Sequence, residues 1–226
     1  MPDADLSLAV PAVFFGAAGT AGQRCTSTRR LFLHSDIAPA FLSRLQDMYN
    51  KLKPGDPLAP STLYGPLHTR AAVGIYSSAI DRLKSSDAQI LCGGTTYSSS
   101  DVPSELHGGN WVKPTIAIPK KVDLESDIWR TETFAPVLCV ATFDELEQAI
   151  EWNNGVPQGL SSSLWTRDIR NVGKWIGPAG SDAGIVNVSP FVHTCTWAVL
   201  TMWQVNVGTS GAEIGAAFGG NKSTGW

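Results

Sequence analysis

An α/β fold, built as a layered and largely parallel sheet with flanking helices, is predicted by three observations. Short apolar runs of strand length alternate with amphipathic segments of helix length along most of the chain. Glycine, proline and serine clusters punctuate the two kinds of segment. No internal repeat interrupts the alternation, and strands alternating with helices favour parallel pairing through crossover connections.

The elements follow in order. Asp3 or Asp5 can cap a first helix running through the small-residue stretch Phe14 to Gly19. Leu31-Phe32-Leu33 reads as a short buried strand. Phe41, Leu45, Met48 and Leu52 recur at helical spacing and stop before Pro54-Gly55; Ala72, Tyr76, Ile80 and Leu83 mark a second amphipathic helix. Ile90 to Cys92, Val112 to Ile118, Val137 to Phe143, Leu160 to Trp165 and Gly184 to Val188 are strand candidates. Between the later ones lie helices carrying Leu146 and Ile150, then Ile169, Val172 and Ile176, the last halted by Gly177-Pro178. Thr95 to Ser104 and His107 to Asn110, rich in Ser and Gly, read as surface loops.

Composition narrows the function. The 226 residues, 43% hydrophobic, suffice to bury a core as one large domain or two small ones. A net charge of -3 leaves no electrostatic footprint for nucleic acid or an anionic membrane. No apolar run approaches the ~18 residues of a membrane span. Cys25, Cys92, Cys139 and Cys195 are widely spaced, which argues against a zinc site or a disulfide framework; no metal is expected, and reduced thiols fit an intracellular protein. The acidic start MPDADLSLAV lacks the marks of a signal or transit peptide.

Cys25 stands in Gly19-Thr20-Ala21-Gly22-Gln23-Arg24-Cys25-Thr26-Ser27-Thr28. Small residues before a thiol let backbone and ligand approach it, and a cation such as Arg24 favours the nucleophilic thiolate. A buried structural cysteine is the alternative, and Cys92 and Cys139, inside apolar strands, take that alternative. Thr131-Glu132-Thr133-Phe134-Ala135-Pro136 sets a carboxylate two residues before an aromatic; a solvated Glu is the plain reading. Gln158 to Ser163 enters a strand from a glycine turn. Thr209 to Gly215, followed by Phe218-Gly219-Gly220, is a loop of backbone donors for an anion, or an ordinary turn.

Together and in this order, these segments resemble the aldehyde dehydrogenase superfamily over about 200 residues. GTAGQRCTSTRRLF resembles its catalytic cysteine motif, TETFAP its E-x-F-G-P cofactor motif and FGGNKSTG its FGGxKxSG segment. GQRC, LYGPLHT, NNGVPQGLSSSLWT and TSGAEIGAAFGG look most like the antiquitin branch, the α-aminoadipic semialdehyde dehydrogenases.

The resemblance implies a small-molecule aldehyde substrate, NAD as cofactor and homo-oligomeric full-length relatives. It implies that Cys25 attacks the aldehyde carbon to give a thiohemiacetal, whose oxyanion is held by the cysteine N–H and an asparagine. Hydride passes to NAD, and a glutamate activates water against the thioester. Glu132 matches the residue that binds the nicotinamide ribose, and Phe134 the aromatic beside the ring. Arg24, Ser210, Gly211 and Ala212 match the positions that hold the distal carboxylate of the substrate in the antiquitin branch. The compartment implied is cytoplasmic, with mitochondrial as the second option.

Departures set further expectations. The family's dinucleotide-binding domain, oxyanion asparagine and general-base glutamate, in an E-L-G-G segment, precede the region matched here, and a tail segment follows it. The chain therefore reads as residues 1–187 and 205–226 of a catalytic domain without its NAD-binding domain. On that reading the isolated chain is inactive, and a truncated, non-catalytic fragment acting at most as an oligomerisation partner is the alternative function. Excising the seventeen residues Val188 to Gln204 restores the family pattern G-I-V-N-V-N-x-x-T-S-G-A-E. Val188-Ser189 and Trp203-Gln204 can be encoded as a splice donor and acceptor. Residues 188–204 are therefore expected to be a retained intron, with a family-specific loop as the alternative.

Overall fold

Leu6 opens the first helix because Asp5 accepts hydrogen bonds from the Ser7 N–H and hydroxyl, at 2.9 and 2.6 Å, and so caps it. Of the two candidate caps Asp5 takes the role, while Asp3 binds elsewhere. In this computed structural model, which describes residues 1–189, 208–210 and 218–225, the elements are, in chain order, α1 (Leu6–Ala18), β1 (Arg30–His34), α2 (Ala38–Lys51), α3 (Arg70–Ser85), β2 (Gln89–Cys92), β3 (Thr115–Ile118), α4 (Asp127–Arg130), β4 (Val137–Phe143), α5 (Leu146–Asn154), β5 (Gln158–Gly159), β6 (Ser161–Trp165), α6 (Ile169–Ile176), β7 (Ile185–Ser189) and β8 (Asn221–Lys222).

The main sheet has the order β1-β4-β3-β2. β3 and β4 pair in parallel, Thr115 against Val137 and Ala117 against Cys139, whereas β2 is antiparallel to β3. A second ladder joins β6 to β7 in parallel, from Ser161–Ile185 to Trp165–Ser189, and β5 meets β8 antiparallel. The sheet is thus mixed: largely parallel, as the alternation predicts, with an antiparallel strand at the β2 edge. The strand expected over Val112 to Ile118 begins only at Thr115, because Pro114 has no N–H to give the ladder; Val112 makes one isolated antiparallel bridge with Thr96. On α2 the buried face runs Phe41, Leu45, Tyr49 rather than through Met48, a shift of one residue.

The chain divides into two compact units, each made of several segments, with the divisions falling inside α1, β1, α2 and β4. In one (Met1–Val13, Phe32–Phe41, Thr142–Trp226), Leu146, Leu164, Val172, Trp175 and Val188 form a buried cluster. Asp3 accepts from the Thr166 hydroxyl and from the N–H groups of Arg167 and Asp168, tying the start of the chain to the end of β6. Val188, the first residue of the expected insertion, stands opposite Leu164 in β7, and Ser189 opposite Trp165. The rest of that segment, with Cys195, lies outside the described residues.

The other unit (Phe14–Leu31, Leu42–Ala141) is centred on Leu45, Tyr64, Leu67, Tyr76, Leu83, Val112, Ile116, Leu138 and Val140, all essentially inaccessible. Burying each such aliphatic side chain contributes about 1.5–3 kcal/mol relative to exposure. The two tyrosines satisfy their hydroxyls inside: Tyr64 donates to the Val112 carbonyl at 2.6 Å and Tyr76 to that of Lys113 at 2.8 Å.

Candidate active site

After α1 the backbone passes through three consecutive left-handed residues, Thr20 (φ 51°), Ala21 (φ 52°) and Gly22 (φ 66°). Such a conformation costs a non-glycine residue about 1–2 kcal/mol, so the turn is held by its surroundings. Gly22 is required twice over. Its φ is positive, and a Cβ there would lie 2.6 Å from the Ala135 carbonyl group. The cysteine segment therefore packs main chain on main chain against the loop that carries Glu132 and Phe134.

Cys25 and Thr26 are the central residues of a tight turn from Arg24 to Ser27. The Ser27 N–H donates to the Arg24 carbonyl at 3.1 Å, and the Arg24 N–H donates to the Ser27 hydroxyl at 3.1 Å. Cys25 is exposed at its tip. Gln23 braces the turn, donating to the Thr20 and Pro66 carbonyls while its own oxygen accepts from the His68 N–H at 2.9 Å. The other two described cysteines differ. Burial pushes the Cys139 thiol up to about 12 and raises that of Cys92.

Arg24 turns back toward α1. Its Nη2 donates to the Phe15 carbonyl at 2.8 Å and its guanidinium lies 4.3 Å from the centre of the Phe15 ring. Its Nε is buried with no hydrogen-bond partner among the described residues. Burial pulls this guanidinium below its ordinary value, opposed by the charge of a Cys25 thiolate. A donor thus remains uncommitted.

Arg29 is the residue that sequence reasoning misses. Its Nε donates to Glu132 Oε1 at 3.2 Å, and its Nη2 to the carbonyls of Gly22 (3.3 Å) and Arg24 (3.2 Å). The same guanidinium lies 4.7 Å from the centre of the Phe134 ring. The Arg29 side chain is 16% exposed, against 31% for Glu132. Burial lowers its pKa, while Glu132 and then Cys25 favour the charged form. The ion pair spans 103 residues of sequence, and only a motif pairing an arginine with the distant carboxylate could have signalled it.

Glu132 and Phe134 sit between α4 and β4. Phe134 adopts φ 46° and is 40% exposed, a partly open apolar residue in a strained backbone. A half-open carboxylate and an exposed aromatic ring two residues apart can accept from a sugar hydroxyl and lie beside a planar aromatic amide. These residues fit the nicotinamide-ribose end of a dinucleotide. Among the described residues no group of three or more His, Cys, Asp and Glu could hold a metal, and no helix is long and apolar enough to cross a membrane.

Cys25, Arg24, Glu132 and Phe134 all belong to one unit. Ser210 belongs to the other, in a half-buried turn after Gly208, whose carbonyl accepts from Asn187 Nδ2 at 2.9 Å. Gly211 and Ala212 lie outside the described residues. The FGGNKSTG segment forms a clasp: the Lys222 ammonium donates to the carbonyls of Asn154 and Val156, both at 2.8 Å, and pairs with Asp182 at 2.6 Å.

The aldehyde dehydrogenase family profile matches residues 1–226, and the chain belongs to that family. It is 46% identical over 223 residues to the alpha-aminoadipic semialdehyde dehydrogenase of Mus musculus, covering 99% of this chain and 36% of that protein. It is also 46% identical to aldehyde dehydrogenase family 7 member A1 of Pisum sativum, over all of this chain and 39% of that protein. Among solved structures, HpcC from Thermus thermophilus superposes with a TM-score of 0.81 at 26% identity, over 99% of this chain and 39% of that one. The chain thus spans well under half the length of these relatives.

Proposed function

We propose that the protein to which this chain belongs oxidises an aldehyde to a carboxylate with NAD, using Cys25 as nucleophile. The observation that carries this reading is the exposed Cys25 at the tip of a hydrogen-bonded turn, tied through Arg29 to the half-open Glu132 and the exposed Phe134. The Cys25 thiolate adds to the carbonyl carbon, forming a C–S bond and an alkoxide. The Cys25 main-chain N–H, beside the new bond, is one donor for that alkoxide. NAD, when bound with its nicotinamide end at Glu132 and Phe134, supplies the hydride acceptor. Loss of hydride from that carbon to the acceptor would turn the alkoxide into a thioester, and water would then cleave the C–S bond, releasing the carboxylate and a proton and returning the Cys25 thiol.

The name of the mouse relative points to α-aminoadipic semialdehyde as the substrate. Arg24, Ser210, Gly211 and Ala212 are proposed to hold the carboxylate at its far end. The buried Arg24 Nε, without a hydrogen-bond partner among the described residues, supports the choice of Arg24, since such a donor is costly to leave unmet. Residues 188–204 are proposed to be an insertion read through from an intron. Sequencing of the message across this junction tests it: spliced transcripts lacking all seventeen codons would support the reading, and uniform retention would contradict it.

NADH formation, measured for this chain and for a version extended upstream, tests the activity. The chain spans 36% of the mouse relative, and it is expected to give no turnover alone. In the extended protein Cys25→Ala should abolish turnover, and a wild-type rate would end the nucleophile assignment. Arg24→Ala should raise KM for the semialdehyde more than for an aliphatic aldehyde without a carboxylate. A lost charge-assisted hydrogen bond, about 1.5–3 kcal/mol, corresponds to a difference of roughly ten-fold or more. Equal losses on both substrates would remove Arg24 from the anchor.

A further inference from the structure

Two loops far apart in sequence meet at one guanidinium. On one side Arg29 donates to the carbonyls of Gly22 and Arg24, and on the other to the Glu132 carboxylate, with the Phe134 ring against its face. The Arg24 carbonyl is no incidental acceptor. It shares a peptide plane with the Cys25 N–H, and because that plane is rigid and trans, the two groups point in opposite directions. Whatever fixes the Arg24 oxygen therefore fixes where the Cys25 N–H points. Two donors hold that oxygen, the Ser27 N–H at 3.1 Å from within the turn and Arg29 Nη2 at 3.2 Å from outside it.

We propose that Arg29 is a positioning residue that couples the Glu132–Phe134 loop to the Cys25 peptide, so that a change at the carboxylate is felt at the thiol and its N–H. The inference rests on Cys25 and Glu132 having the roles given above for its functional meaning, yet the coupling itself is readable without substrate, cofactor or turnover. Only a planar fork serves here. Three acceptors and an aromatic face surround one side chain, and an ammonium of the same charge has neither the span nor the flat surface to meet them together. Of the fork's nitrogens, Nη1 has no hydrogen-bond partner among the described residues. Among the described residues the hydrogen bonds to the two loops thus run through Nε on one side and Nη2 on the other, and losing the Glu132 bond leaves only the Phe134 ring contact on that side. Cys25 also lies close enough for its charge to act on the Arg29 guanidinium.

A double-mutant cycle on the 226-residue chain tests this, reading the alkylation rate of Cys25 by iodoacetamide from peptide mass spectra. The four proteins are wild type, Glu132→Gln, Arg29→Lys and the double variant. Glu132→Gln is expected to change the Cys25 rate about three-fold or more in the wild-type background, and less than about 1.5-fold in the Arg29→Lys background. Amide exchange of Ser27, whose N–H shares the Arg24 oxygen, should rise in Glu132→Gln and serves on its own if Arg29→Lys fails to fold. A purely structural Arg29 would lower thermal stability while Glu132→Gln acted equally in both backgrounds. That result, or a Glu132→Gln protein with unchanged Cys25 alkylation and unchanged Ser27 exchange, would overturn the proposal. Failure of the aldehyde reading would leave the cycle as expected here. A flat cycle in a protein whose turnover still needs Cys25 would remove the positioning role alone.

Discussion

Cys25 and Cys139 carry the same thiol, and one residue touches the setting of both. The Arg29 carbonyl accepts from the Cys139 N–H at 2.9 Å, while the Arg29 side chain holds the carbonyls around Cys25. Cys139 lies in β4 among buried neighbours, in regular extended backbone, with its thiol pushed up to about 12 by loss of water. Cys25 sits exposed on a tight turn, after three left-handed residues. Environment, not residue type, therefore separates the two thiols. Strain and exposure gather at the one; regular hydrogen bonding and burial gather at the other.

Alkali should expose this contrast most strongly. Cys139 is protonated and neutral in the folded state up to about 12, whereas an unfolded thiol ionises near the ordinary value of 9.0. Ionisation therefore favours the unfolded chain as pH rises from 9.0, and the stability present below that value is lost progressively toward pH 12. The interval corresponds to about 4 kcal/mol at most. Tyr76, also raised by burial to about 12, adds to the same loss. Cys139→Ala should lose less stability between pH 9 and 12 than wild type does. Parallel pH profiles from urea denaturation would contradict the burial account.

On the Cys25 side, Gly22→Ala should cost about 2–4 kcal/mol. It adds a left-handed penalty to an overlap with the Ala135 carbonyl group. A change below about 0.5 kcal/mol in denaturant unfolding would mean that the two loops do not pack as described. A weaker effect, of opposite sign, is expected two residues earlier. Thr20→Gly relieves one left-handed side chain, exposed at φ 51°, whose hydroxyl donates to the carbonyl of the adjacent Gly19. It should raise stability by up to about 1 kcal/mol. A loss would show that the Thr20 side chain, not its backbone, is what the turn uses.

Much of this contrast was legible in the sequence, and the illegible part has physical causes. β4 appears where Val137 to Phe143 predicts it, because an apolar run between turn residues has few other solutions. α3 follows its spacing of Ala72, Tyr76, Ile80 and Leu83, with Thr69 as cap. α4 escaped, since the four residues Asp127–Arg130 are too short to show a period. The left-handed Thr20 and Ala21 escaped because neither residue type favours that backbone, which is imposed by packing. Cys25, Glu132 and Phe134 were singled out as candidates through motifs. Arg29 stands inside the cysteine motif itself, but its partner is 103 residues away, and nothing local marks a side chain whose work is tertiary.

If the fold makes Cys25 the accessible, reactive thiol while β4 silences Cys139, site-resolved alkylation of the native chain at pH 7 with iodoacetamide will separate them. A thiol raised to about 12 is ionised only on the order of 10⁻⁵ at that pH, and Cys139 is buried as well. Cys25 should therefore be modified at least about 100-fold faster than Cys139, with the two rates converging in urea. Comparable native rates, or a Cys25 that reacts only after unfolding, would contradict the account.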